Sequence, residues 1–370
     1  QDRKGAAGHA RKSGSKKMTV TVRKSLFVIL SVLITGCSKD EAVNVPIKSK
    51  SKDLPGLSQK LALPLTGRLA FHSYTAYDLD DSGKRWLDGR IHICDFPSKT
   101  AVTIAEIEKH TIHAMNPIFN QDGTQITFMA LPIGPKYGAD WPKGLDLFVY
   151  DFRNGELANI SKQAGLESSI DEDPFFTPDG NSLIFKRNRE DLWIVDLKTL
   201  QTRPITTDRK QNEESGPRVS RDGQWVYYWN GDGETADIHR LSLNGGASKV
   251  VAGLPNIQEM FPVLLGNGRL AYTRWTSPTQ HDDEIYLLDL KSGKHQKAAF
   301  NSTNGADDSD PFAINHWIGF SSRRKENGKG GWDLYLGDPN SPTPVHLRQL
   351  STPRHDLGGT YIPTVVGNLN

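Results

Sequence analysis

DPFFTPDGNSLIFKRNREDLWIVD, residues 173–196, is the stretch that decides the fold. A proline-bearing segment runs into Asp179-Gly180, and the glycine supplies the positive φ that a hairpin turn needs. Leu183, Ile184 and Phe185 follow as an apolar strand, then a polar loop, then the acid-bounded strand DLWIVD. The pattern recurs along the chain. Its first half returns as NPIFNQDGTQITF (116–128), GPRVSRDGQWVYY (216–228), FPVLLGNGRLAY (261–272) and DPFAINHWIGF (310–320). Its second half returns as RIHICD (90–95), DLFVYD (146–151), DIHRLS (237–242), EIYLLD (284–289) and DLYLGD (333–338).

A repeat of this length is one small sheet that cannot bury both faces alone, so copies must stack around an axis. Prolines 117, 174, 217, 262 and 311 mark the repeats. GRLAF at 67 opens a further unit that lacks its first strand, and TYIPTVVGN (360–368), with Pro363, is expected to supply it. Closing the ring this way leaves no free sheet edge. The expectation is an all-β, six-bladed β-propeller with four-stranded blades over residues 61–370.

These units resemble the PD40 (WD40-like) repeats of the TolB-type propeller, and the resemblance covers residues 61–368. It implies a propeller scaffold rather than a particular activity, since the repeat serves scaffolds, peptidase gates and polysaccharide lyases alike. TolB proteins carry an N-terminal α/β domain where this chain has polar sequence.

The chain has 370 residues and a formal charge of +2, from 45 basic and 43 acidic side chains. Eight of the basic residues fall within positions 1–24, leaving the remainder with an acidic excess. That excess argues against nucleic acid as a partner. Residues 1–17 read as a segment upstream of a plausible initiator, Met18, and 18–36 as a secretory signal with the short apolar run Leu26–Thr35. Ile34-Thr35-Gly36-Cys37 resembles a lipobox, which implies diacylation of Cys37, and Ser38 implies transfer to the outer membrane. Residues 37–60 are the expected tether, so the membrane is met only through the lipid. The second cysteine, Cys94, sits in a strand and reads as a buried thiol.

The long loops after the second strands share one face with the starts of the first strands, and such a face usually carries function. Counting three residues back from each proline gives Ala114, Asp171, Glu214, Glu259, Asp308 and Thr360. The four acids are expected near the channel mouth, holding a Ca2+-like cation or a basic partner segment. Around them His72, Tyr74, Arg187, Trp229, Arg274, Trp275, Arg323 and Arg324 form an expected binding rim.

No G-x-S-x-G, H-E-x-x-H, C-x-x-C or P-loop motif occurs, so no catalytic residue is assigned. Oligogalacturonate lyases share the repeat style and use a histidine-rich metal site, which makes His113, His281 and His355 the metal candidates. The expected function is a non-catalytic, monomeric scaffold that binds an envelope protein or an acidic glycan. The alternative is a lyase or hydrolase of uronate-containing glycans. No cofactor is assigned beyond Ca2+ in the channel.

Overall fold

The computed structural model describes residues 65–77, 86–97, 101–133, 144–166, 169–207, 212–232, 234–275, 283–324 and 331–363. Residues 1–64, with Cys37 and the tether, and His281 lie outside them. The fold is all-β and propeller-like, with two short helices, Ala105–His110 and Ile160–Gln163.

The repeats fold as the sequence pattern requires. Asp171–Phe176, Ser182–Arg187, Asp191–Asp196 and Thr202–Pro204 form one antiparallel sheet in chain order. Thr111–Phe119 opens a second such sheet and Asp308–Ile314 a third. An eight-stranded sheet joins the halves that start at Glu213–Val219 and Gln258–Leu265, through one parallel bridge, Ala236 to Gln258. At the hairpins Gly123, Gly180 and Gly223 adopt φ of 71°, 71° and 70°. The aspartate before each glycine accepts a hydrogen bond from the backbone N–H two residues on, at 2.9–3.1 Å. This is the Asx turn that Asp-Gly favours.

The remaining four-stranded sheet pairs the last described strand, His355–Ile362, with the first, Gly67–Tyr74. The closing strand therefore exists but begins earlier than the proline at 363 suggests, and Pro363 lies beyond it. The sequence pattern misleads at this point because the repeat's proline is replaced by Gly359.

Side-chain alternation builds the core. Leu183 and Phe185 pack with Leu147 and Val149 of the preceding sheet, while Ile184 turns the other way onto Val226 and Tyr228 of the following one. The same division recurs between successive sheets and between the two halves of the eight-stranded sheet. It includes the closing contact, where Leu69 and Phe71 meet Phe312 and Leu336. Cys94 is fully buried in that last cluster, as its strand position predicts.

Candidate functional site

Six innermost strands share one irregularity. In each the antiparallel register breaks after a residue such as Glu172 and resumes at a residue such as Phe175, leaving two residues bulged. The first bulged residue is left-handed in every case: Asn116 (φ 53°), Asp173 (53°), Gly216 (59°), Phe261 (53°), Asp310 (50°) and Gly358 (57°). The second is proline in five of them and Gly359 in the sixth. Proline has no N–H to give the ladder, so a bulge accommodates it. A left-handed phenylalanine is an outlier that the surrounding strands must enforce.

These bulges line one cavity of about 80 Å3, together with His72 and Arg218. Asp173 accepts hydrogen bonds from Asn116 Nδ2 at 2.6 Å and from the Ser215 hydroxyl. Its burial opposes ionisation, but Lys186, Ser215 and Asn116 outweigh it and hold the carboxyl below its ordinary range. Asp310 has no hydrogen bond or ion pair among the described residues. Burial pushes its carboxyl up to about 7, with Arg218 pulling the other way and Asp173 adding to the rise. Arg218 donates to the Pro217 carbonyl at 2.9 Å, and its burial lowers its pKa against the pull of both aspartates. His72 is buried at 7% exposure, and its Nδ1 has no partner among the described residues. Burial, and then His92, push its pKa down to about 4, so the ring is neutral.

The four acids expected at the mouth are not part of this lining. Asp171, Glu214, Glu259 and Asp308 are buried at 0–2% exposure and are hydrogen-bonded close to their own strands. Asp171 accepts from Ser161 and Ser169 at 2.6 and 2.9 Å, and burial pushes it up to about 6 despite them. Glu214 accepts from Thr206 and from Asn230, the latter at 3.2 Å. Asp308 takes Arg324 Nη2 at 2.6 Å and the Ser322 hydroxyl at 2.6 Å, and burial still raises its pKa. Strand alternation alone would place residues two apart on one face. The aspartates two positions on, Asp173 and Asp310, face the cavity instead, because the bulge intervenes. In the closing strand the equivalent of these acids is Asp356, not Thr360. It accepts from Thr352 N and Oγ1 at 2.8 and 2.6 Å, and burial pushes it up to about 7.

Most of the expected rim is also internal. Arg274 and Arg324 are ion-paired to Glu259 and Asp308, and Arg187 lies opposite Asp171 with its guanidinium 4.6 Å from the Trp193 ring centre. Tyr74 is fully buried and stacked on His355 at 5.0 Å. Trp229 lies against Gly216, where an added Cβ would sit 3.3 Å from the ring. Trp275 pairs across the sheet with Asp283. His72 lines the cavity, leaving Arg323, 52% exposed and bonded to Asp307 at 3.2 Å, as the rim cation open to solvent.

Of the metal candidates, His281 lies outside the described residues, and the other two each accept a backbone hydrogen bond. His113 Nδ1 accepts from Asp88 N at 2.9 Å, and His355 Nδ1 accepts from Trp332 N at 3.4 Å. No group of three or more metal-ligating side chains occurs among the described residues. The residues that sequence reasoning missed are Asp173 and Asp310. Their signal is the Asp-Pro dipeptide at 173–174 and 310–311, which also serves as a marker of the repeat.

No family model matches the chain. Among solved structures it is similar to TolB from Acinetobacter baumannii, with a TM-score of 0.57, 16% identity, and coverage of 80% of this chain and 67% of that one. It is equally similar to the hydrazine synthase of Kuenenia stuttgartiensis, with a TM-score of 0.57 and 11% identity over 81% of this chain, but spans 48% of that one. At these identities the likeness extends to the propeller-like fold alone. A curated relative, the large ribosomal subunit protein uL3 of Methanosphaerula palustris, is 23% identical over 164 residues. That match covers 44% of this chain and 45% of the relative, so the chain spans less than half of that protein's length.

Proposed function

We propose that the protein is a non-catalytic, monomeric binding scaffold that holds an envelope protein at the face into which its channel opens. In this reading the fold is a six-bladed propeller, with the eight-stranded sheet counted as two blades stitched at the Ala236–Gln258 bridge. Six of the seven apolar clusters, each spanning two of the units so counted, support that count. The lipobox-like Ile34-Thr35-Gly36-Cys37 and the following Ser38 support a lipid anchor on the periplasmic side of the outer membrane.

The observation that carries the binding reading is Asp310, a channel carboxylate with no hydrogen-bonding partner among the described residues, in a cavity bounded by left-handed bulges. Asp310 is only partly buried, so its oxygens are open to whatever enters the channel. Catalysis has less support. Apart from Asp310, the carboxylates near the channel are bonded within their strands or balanced by a cation, and the serine–histidine pairs Ser73 with His92, at 2.7 Å, and Ser351 with His346, at 3.2 Å, do not line the cavity. Cross-linking and pull-down from an envelope fraction tests the proposal, with Arg323→Glu as the face variant. One partner captured by the wild type and lost in the variant is expected. Depolymerisation of a uronate polysaccharide by the purified protein would overturn the non-catalytic assignment in favour of the lyase or hydrolase reading.

A further inference from the structure

We infer that the channel seats one primary ammonium group, from a lysine side chain or a free alkylamine, against the carboxylate of Asp310. This rests on the proposal that the channel face binds and names what enters it.

The charge inventory of the cavity selects the ligand. Asp173 already has both oxygens occupied, by Asn116 and Ser215, with Lys186 Nζ 4.0 Å away. Asp310 is left as the acceptor with unused oxygens. Arg218 faces the same space, so a divalent cation would meet a fixed positive charge and a single available carboxylate. Calcium needs six to eight oxygen ligands, and no cluster of three ligating groups stands among the described residues. An ammonium needs far less: one carboxylate and one or two further acceptors.

The other lining groups suit that need. His72 is neutral, more than nine-tenths buried, and its Nδ1 is unpartnered among the described residues. The neutral ring adds no positive charge to compete with an ammonium. Phe261 lines the cavity next to Asp310 in chain order of the bulges, and an aromatic side chain there offers a cation–π contact or apolar cover for the methylenes. A cavity of about 80 Å3 admits an ammonium head and a methylene or two. It is smaller than the roughly 150 Å3 that holds a benzene ring, so a planar aromatic ligand does not fit.

Asp310 must be ionised to bind. The charged groups bearing on it are Arg218, which favours ionisation, and Asp173 and Asp283, which oppose it. Between pH 6 and pH 8 a carboxyl near 7 goes from mostly protonated to mostly ionised, while an alkylamine stays charged. Affinity should therefore rise about tenfold across that range.

Titration calorimetry on the full chain tests this with n-butylammonium chloride, an acetylated Gly-Lys-Gly amide, and calcium chloride. Both amines are expected to bind, Asp310→Asn should weaken them at least tenfold, and the pH dependence should run as derived. Tighter binding of the peptide supports a lysine side chain as the source, and equal binding supports a free amine. The inference is overturned if neither amine binds at millimolar concentration, if Asp310→Asn binds them unchanged, or if calcium displaces them at submillimolar concentration. The pH series needs no variant and decides the matter should Asp310→Asn fail to fold. A partner still captured through Arg323 when no amine binds would sink this inference alone and leave the scaffold reading standing.

Discussion

Arg274 donates through both Nε and Nη2 to a single oxygen of Glu259, at 2.8 and 2.5 Å, and lies 3.9 Å from the Tyr286 ring centre. Glu259 is fully buried and Arg274 nearly so. The pair joins Gln258–Leu265 to Arg269–Trp275 in direct register. Asp171 and Glu214 stand in the same register against Arg187 and Asn230, while Asp308 reaches Arg324, two positions past its register partner Ser322, so that partners are fifteen or sixteen positions apart. Two of the expected acids and two of the expected rim arginines are thus halves of internal ion pairs, while Asp171 and Glu214 are held by serine, threonine and asparagine.

Removing one half of such a pair strands the other. Glu259→Ala should lower unfolding free energy by about 3 kcal/mol, because a buried guanidinium is left without its carboxylate. The double variant Glu259→Met, Arg274→Leu should recover most of that loss, since apolar groups of similar volume need no partner. Urea denaturation of the single and double variants measures both. A double variant no more stable than Glu259→Ala would show that the pair serves packing rather than charge balance.

Lys186 is buried among Glu172 at 2.9 Å, Glu213 at 2.6 Å and Asp173 at 4.0 Å. Those carboxylates raise its pKa against burial, and Glu172 is itself raised, chiefly by burial. Lys186→Met should cost about 3 kcal/mol at neutral pH or above. The cost should shrink at pH 5, where the orphaned carboxylates can take up protons. Melting curves of both proteins at pH 5 and pH 8 test this, and a loss independent of pH would contradict it.

A chain ending at Arg354 should lose its cooperative transition. It lacks His355–Ile362, so Gly67–Tyr74 becomes an open edge and the cluster of Phe71, Phe312 and Leu336 loses its cover. A sharp calorimetric melt near the wild-type temperature would refute the closing role of that strand.

The repeat is legible because each unit carries the same local demands: a bulge proline, an Asx turn at Asp179-Gly180, and an alternating strand such as Ser182–Arg187. The six acid-apolar strands fall within a residue or so of the positions that the pattern assigns them. Legibility ends where different residues solve the same geometric problem. Gly358-Gly359 makes the same left-handed bulge as Asp310-Pro311, so aligning the closing strand on Pro363 hides its acid, Asp356. The channel lining is hidden for a subtler reason. A bulge changes which positions share a face, so counting back from proline selects Asp171 and Asp308 in place of Asp173 and Asp310. The spacing of fifteen or sixteen positions from each acid to its cross-strand partner is present in the sequence, but it gains meaning only once the two strands are known to pair.

Stability should peak on the mildly acidic side of neutrality. Burial pushes Asp283 up to about 8, with Asp307 adding to the rise, and raises Asp310 and Asp356 to about 7 and Asp171 to about 6. Carboxyls raised in the folded state bind more protons there than in the unfolded chain, so stability falls as pH climbs through those values. His72 and His92 work the other way. Both are pushed down to about 4, mainly by burial, so the unfolded chain takes up protons first and stability falls as pH drops from 6.5 toward 4. Between pH 8.5 and 6.5 the histidines are silent and the carboxyls act alone, so the melting temperature should rise over that interval. Below 6.5 the two sets oppose each other and the curve should flatten. Below pH 4 it should fall, as the turn aspartates Asp122, Asp179 and Asp222, held low chiefly by hydrogen bonds from Thr124, Thr177 and Ser220, become protonated. Asp283→Asn should remove much of the slope between pH 7 and 8.5, because the amide has no proton to lose over that range. Scanning calorimetry at half-unit steps of pH reads both curves. A wild-type melting temperature that is flat or rising from pH 6.5 to 8.5 would rule out the buried carboxyls as its cause.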